Sequence, residues 1–175
     1  MNNISSPLGT FILPDDSGIL AVVDSSRYKA FVHEYWTLEQ LLDRFRTSMA
    51  DRAMLVWSPG EEGNWRVSAE LGPPSRAGLR SMEGTIQVSG SGLHLVSYDS
   101  LTMAAQFSDE TIPQPHEVTN FVKLAPGLYR CSVTHLHSEY QGEGNSEVDN
   151  PHCILSFQPS DDLLPPWYTV AWLAL

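Results

Sequence analysis

Trp65-Arg66-Val67-Ser68-Ala69-Glu70-Leu71 alternates apolar and polar side chains at every step. A period of two sends successive side chains to opposite faces of a strand, so Trp65, Val67 and Ala69 share one face and Arg66, Ser68 and Glu70 the other. A sheet with one buried and one wet side carries this pattern, and such sheets are antiparallel. Outward from this segment, short apolar runs punctuated by Gly, Pro, Asn and Asp predict further strands at 10–13, 19–23, 53–57, 85–89, 93–98, 118–124, 128–137, 152–158 and 168–173, with the first segment at 65–71. Pro59-Gly60-Glu61-Glu62-Gly63-Asn64 reads as a hairpin loop, Gly90-Ser91-Gly92 as a tighter turn, and Ala125-Pro126-Gly127 as the close of another hairpin. Pro73, Pro74, Pro113 and Pro115 mark loops, because proline cannot donate to a central ladder.

One segment breaks the β rhythm. Leu38, Leu41, Leu42 and Phe45 recur at i, i+3, i+4 and i+7 and line one face of a helix over 37–47. Thr37, followed three residues later by Gln40, forms a capping-box signature at its start. The expected fold is therefore all-β, mainly an antiparallel β-sandwich, with one short α-helix near residues 37–47. The 175 residues fit one domain, 1–175, large enough to bury a core without staples. No internal repeat, low-complexity tract or composition shift divides it.

Charge separates the two halves of the chain. Residues 1–82 carry 10 acidic and 8 basic side chains, residues 83–175 carry 11 acidic and 2 basic, and no lysine or arginine follows Arg130. Such a surface repels phosphate backbones and anionic membranes and attracts a basic protein, for instance a nucleic-acid-cleaving enzyme with a Lys/Arg-lined groove. The alternative is that the acidity serves solubility alone. Cys131 and Cys153 match no zinc spacing and no Cys-x-x-Cys pair, and read as buried free thiols of a reducing compartment. The N-terminus lacks a basic region and Phe11-Ile12-Leu13 is too short for a signal or membrane segment, so the expectation is a cytoplasmic protein.

The stretch most like a binding site runs from Ser138 to Pro151. It is long for a hairpin connection, and it combines Glu139, Glu143, Glu147 and Asp149 with one aromatic, Tyr140, among glycines. A tyrosine amid acceptors is what a polar interface uses as an anchor. The competing reading is a solvated loop without function.

Candidates for chemistry are few. His135 and His137 share a strand face with Cys131 and Val133, and a His-x-His pair can converge on one metal ion. The arrangement is similar to the metal pattern of cupins, but Gly127 is too far upstream and Glu139 and Glu143 fall at the wrong spacings. A metal-dependent or sugar-modifying enzyme around His135 and His137 is thus the alternative to a strand-end histidine pair. Asp15-Asp16, Glu61-Glu62, Asp109-Glu110 and Asp161-Asp162 lie beside loop residues and are expected to be solvated, with no pKa tuned for acid–base work. Ser89-Gly90-Ser91-Gly92 lacks the lysine of a phosphate loop. The five tryptophans are expected mostly in the core, with a carbohydrate-binding module as a further alternative.

The order of these signals carries a resemblance. A strand ending near Asp24 leads to Trp36-Thr37-Leu38-Glu39 opening a helix, then to the strands at 53–57 and 65–71. Thr85-Ile86-Gln87-Val88, a Gly turn, Gly92-Leu93-His94-Leu95 and Leu124-Ala125-Pro126-Gly127 with Tyr129 follow. Over residues 18–137 this resembles the competence protein J family, small β-rich inhibitors of a DNA-entry nuclease, and more broadly the β-sandwich immunity proteins of bacterial toxin systems. The resemblance implies an inhibitor without catalysis or cofactor. The C-terminal extension and acidic loop depart from the family, so the partner's identity does not carry over, and no family binding residue is mapped onto this chain. The function expected is that of an acidic binding protein that neutralises a basic partner such as a toxin nuclease. Glu139, Tyr140, Glu143, Glu147 and Asp149 would form its partner-binding site.

Overall fold

The computed structural model describes residues 4–136 and 151–174. Two sheets share one hydrophobic core. The larger has five strands in the order β1 (Ser6–Asp15), β4 (Gly63–Leu71), β9 (Cys153–Pro159), β8 (Gly127–His135) and β5 (Arg80–Val88). The smaller has four, in the order β3 (Met54–Trp57), β2 (Leu20–Val23), β6 (Gly92–Ser97) and β7 (Phe121–Lys123). All pairs are antiparallel except β4 with β9. The alternation read in Trp65–Leu71 is seen as burial: Trp65, Val67 and Ala69 are buried, while Arg66, Ser68 and Glu70 are not.

The connections expected to close hairpins at 59–64 and 125–127 do not. β3 and β4 lie in different sheets, as do β7 and β8, and β5 and β6 on either side of Gly90-Ser91-Gly92. A short Gly/Pro loop between two amphipathic strands serves a change of sheet as well as a hairpin. Local turn chemistry cannot tell the two apart.

The helix α1 (Leu38–Ala50) starts as expected, with Thr37 Oγ1 accepting from the Gln40 N–H at 3.2 Å and the Thr37 N–H donating to Gln40 Oε1 at 2.9 Å. Leu41, Phe45 and Met49 are buried, whereas Leu38 remains partly in solvent. A second helix, α2 (Tyr98–Gln106), follows β6 directly. Its buried face is Ser100, Leu101, Ala104 and Ala105, a single leucine among small residues that gives no aliphatic stripe to read.

No strand forms at 168–173. This C-terminal stretch makes one isolated parallel bridge, Ala171 with Trp57. Pro165 and Pro166 remove two backbone donors just before it, and Trp172 takes φ = 63°, which ends any extended run. The segment instead straps two sheet edges together. Leu164 N–H donates to Thr85 Oγ1 at 3.0 Å and the Trp167 indole N–H to the Glu83 carbonyl at 2.8 Å, both on β5. Ala171 N–H donates to Val56 O at 3.1 Å and Ser58 N–H to Ala171 O at 2.8 Å, on and just beyond β3. Gly84 permits the closure, since a Cβ there would meet Leu55 at 2.6 Å and Trp167 at 3.1 Å. The seam between β3 and β5 is thereby sealed, and the opposite seam, where β1 approaches β6 and β7, has no such strap among the described residues.

Candidate partner-binding site

β8 and β9 are antiparallel neighbours consecutive in the chain, so the stretch between them is a connection at one end of the five-stranded sheet. Glu139, Tyr140, Glu143, Glu147 and Asp149 belong to it, as does His137; all six lie outside the described residues. The two feet of the connection are well defined. Leu136 N–H donates to His152 O at 2.9 Å, and His152 N–H donates to Arg66 O at 2.9 Å. Arg66 N–H in turn donates to Nδ1 of His152 at 2.9 Å, which ties the second foot to β4.

Around these feet the rings form a packed group. The Trp65 ring lies 5.2 Å from His152, edge to face, and 6.0 Å from His135. His135 is 5.6 Å from Trp172, and the Arg80 guanidinium sits 4.4 Å above the Trp172 ring while donating to Ser58 O at 3.2 Å. Trp57, Trp65 and Trp167 are buried, as expected for core tryptophans. His135 is buried between two indoles rather than open at a strand end, and among the described residues no group of three His, Cys, Asp or Glu is placed to hold a metal ion. Cys131 and Cys153 are free and buried, and burial pushes both thiols up, away from the reactive thiolate form.

Two carboxyl groups are not where the sequence puts them. Asp15, expected to be solvated with Asp16, is buried and its pKa is raised to about 6 by burial; backbone N–H groups of Ser17, Gly18 and Ile19 oppose that rise, and the charge of Asp99 adds to it. Asp15 ends β1 and its side chain turns inward to accept from Ile19 N–H at 3.0 Å, which no local pattern reveals. Glu117, in the 3-10 turn Pro115–Glu117, is also buried. Its Oε1 accepts from Ser97 N–H at 3.1 Å and from Ser97 Oγ–H at 3.3 Å. The sequence signal for Glu117 was only its place after Pro113 and Pro115, in a stretch read as loop. Asp24 is buried in a different way: burial works against its charge, but hydrogen bonds from Ser26 and Ser89 outweigh that and hold its pKa below the ordinary value. Asp24 thus ties the end of β2 to the turn after β5.

No family model and no curated protein sequence matches this chain. Solved structures do. The protein of crocagin biosynthetic gene J is similar at a TM-score of 0.61 and 17% identity, over 91% of this chain and 99% of its own. ComJ of Bacillus subtilis, described as the inhibitor of the DNA degrading activity of NucA, is similar at a TM-score of 0.53 and 10% identity, over 90% of this chain and 99% of its own. The likeness is one of fold. It covers more of the chain than the 18–137 over which the resemblance was read.

Proposed function

We propose that this protein is a non-catalytic inhibitor that binds and neutralises a basic protein, most simply a nuclease acting as a bacterial toxin, and so works as an immunity protein inside the cell. The observation that carries the reading is the charge distribution: all side-chain charge beyond Arg130 is negative, in Glu139, Glu143, Glu147, Asp149, Asp161 and Asp162. The ComJ fold supports it, because one protein built this way inhibits a nuclease. Glu139, Glu143, Glu147 and Asp149 take the places of phosphates in the basic groove of the partner, and Tyr140 packs into a pocket beside them. Charge complementarity speeds encounter, and the buried tyrosine slows release. The anchored feet at Leu136 and His152 supply a rigid base for the loop.

The test is a DNA-degradation assay with a basic nuclease toxin from the same organism. Stoichiometric addition of the purified chain abolishes cleavage if the reading holds. Undiminished cleavage at a several-fold excess, with no complex on size exclusion, contradicts it.

A further inference from the structure

The unstrapped seam of the sandwich holds a cavity of about 770 Å³. One wall is the end of β1, Thr10 to Pro14, with Asp16 just beyond it; the other is the 3-10 turn with Glu117, His116, Thr119 and Asn120; Ser97 and Asp99 at the start of α2 close the end. Three carboxyl groups, Asp16, Asp99 and Glu117, line it, and its described lining includes no lysine or arginine. The field there is also felt by Asp15, whose pKa is raised first by burial and further by Asp99.

Glu117 is the informative member. It is 2% exposed, and although Ser97 satisfies Oε1 twice, Oε2 is buried with no hydrogen-bond partner among the described residues. A buried acceptor left without a donor costs on the order of the desolvation of that group, so such atoms are rare unless something else supplies the donor. Among the described residues His116 places Nε2 3.7 Å from Oε1, beyond hydrogen-bond reach, on a ring that is itself largely in solvent, and the charge of Glu117 also bears on His94. Among the described residues, no lysine or arginine lines the cavity and no donor reaches Glu117 Oε2.

We propose that this cavity is a binding site for a guanidinium group, filled by an arginine side chain of the protein partner. The planar fork of arginine presents five N–H donors and stays charged at any physiological pH, so one group can reach Glu117 and a second carboxylate together. Phe11, Leu13 and Pro14 supply apolar wall for its methylene stem. The volume admits the residues flanking the arginine as well. That the guest belongs to a basic inhibited protein rests on the inhibitor reading; the guanidinium site itself does not.

The test therefore uses the chain alone, with N-acetyl-arginine-methylamide as probe and its citrulline counterpart as the uncharged isostere, followed by amide chemical shifts. The arginine probe is expected to produce saturable shifts at Ser97, Glu117 and Asn120 that citrulline does not. Glu117→Gln, which retains the acceptor used by Ser97, and Asp99→Asn, at an exposed position, are each expected to weaken binding at least tenfold. Absence of saturable shifts at millimolar probe, equal response to citrulline, or unaltered binding in the folded Asp99→Asn and Glu117→Gln variants would each overturn the site. A nuclease that is not inhibited contradicts the inhibitor reading without touching these results.

Discussion

The backbone N–H of Arg66 donates to Nδ1 of His152 at 2.9 Å, and the backbone N–H of His152 donates back to the carbonyl of Arg66 at 2.9 Å. The first bond requires a lone pair on Nδ1, so the neutral ring carries its proton on Nε2. The reciprocal pair fixes where the acidic connection enters β9, one strand away from where it leaves β8. His152→Ala removes the acceptor of a half-buried amide and is expected to cost about 1–3 kcal/mol in denaturant unfolding. His152→Asn, which offers an amide oxygen, is expected to recover part of that loss. An unchanged midpoint for His152→Ala would mean the ring contributes nothing to the foot of the loop.

Helix α1 gives a simpler expectation. Leu41 and Phe45 are both fully buried, and replacing either by alanine opens a cavity expected to cost about 2–5 kcal/mol. Leu38, which is 46% exposed, is expected to lose far less on the same change. Equal losses at Leu38 and Leu41 by chemical denaturation would contradict the packing described.

The main features of the fold could be read from periodicity, and the reasons some could not are physical. The alternation at Trp65–Leu71 and the capping box at Thr37 and Gln40 are local signals, and both appear as read. Which strands pair is not local: β9 inserts between β4 and β8, with a parallel register to β4 that no turn announces. Helix α2 escaped because alanine and serine bury as well as leucine where two surfaces approach closely. The acidic stretch between β8 and β9 was read from charge counts alone, and its residues lie outside those described. The buried carboxyls of Asp15 and Glu117 were not, because their partners are Ile19 across a turn and Ser97 twenty residues away.

Asp15 gives a pH signature. Its folded pKa of about 6 lies above the ordinary 3.8, so between those values the folded state binds more protons than the unfolded chain. The contribution of Asp15 is fully present below the lower value and is lost as the pH rises through the upper one. Asp15→Asn is expected to flatten this part of the curve of stability against pH relative to the parent. Superimposable slopes for parent and variant, from urea midpoints taken at half-unit steps between pH 4 and 7, would contradict a buried, raised carboxyl.

On the proposed reading, the connection between β8 and β9 recruits a basic partner through its charge. Changing Glu139, Glu143 and Glu147 to Gln and Asp149 to Asn together is expected to leave stability nearly unchanged, as for charges whose role is partner recruitment rather than packing. Steering depends on summed charge and is screened within about 8–10 Å at physiological salt. Stopped-flow association of this quadruple variant with the nuclease that the parent inhibits, over a series of salt concentrations, is the most direct test. The account predicts association at least tenfold slower than the parent at low salt, with a flattened salt dependence. An unchanged association rate with the parent's full salt dependence would contradict it.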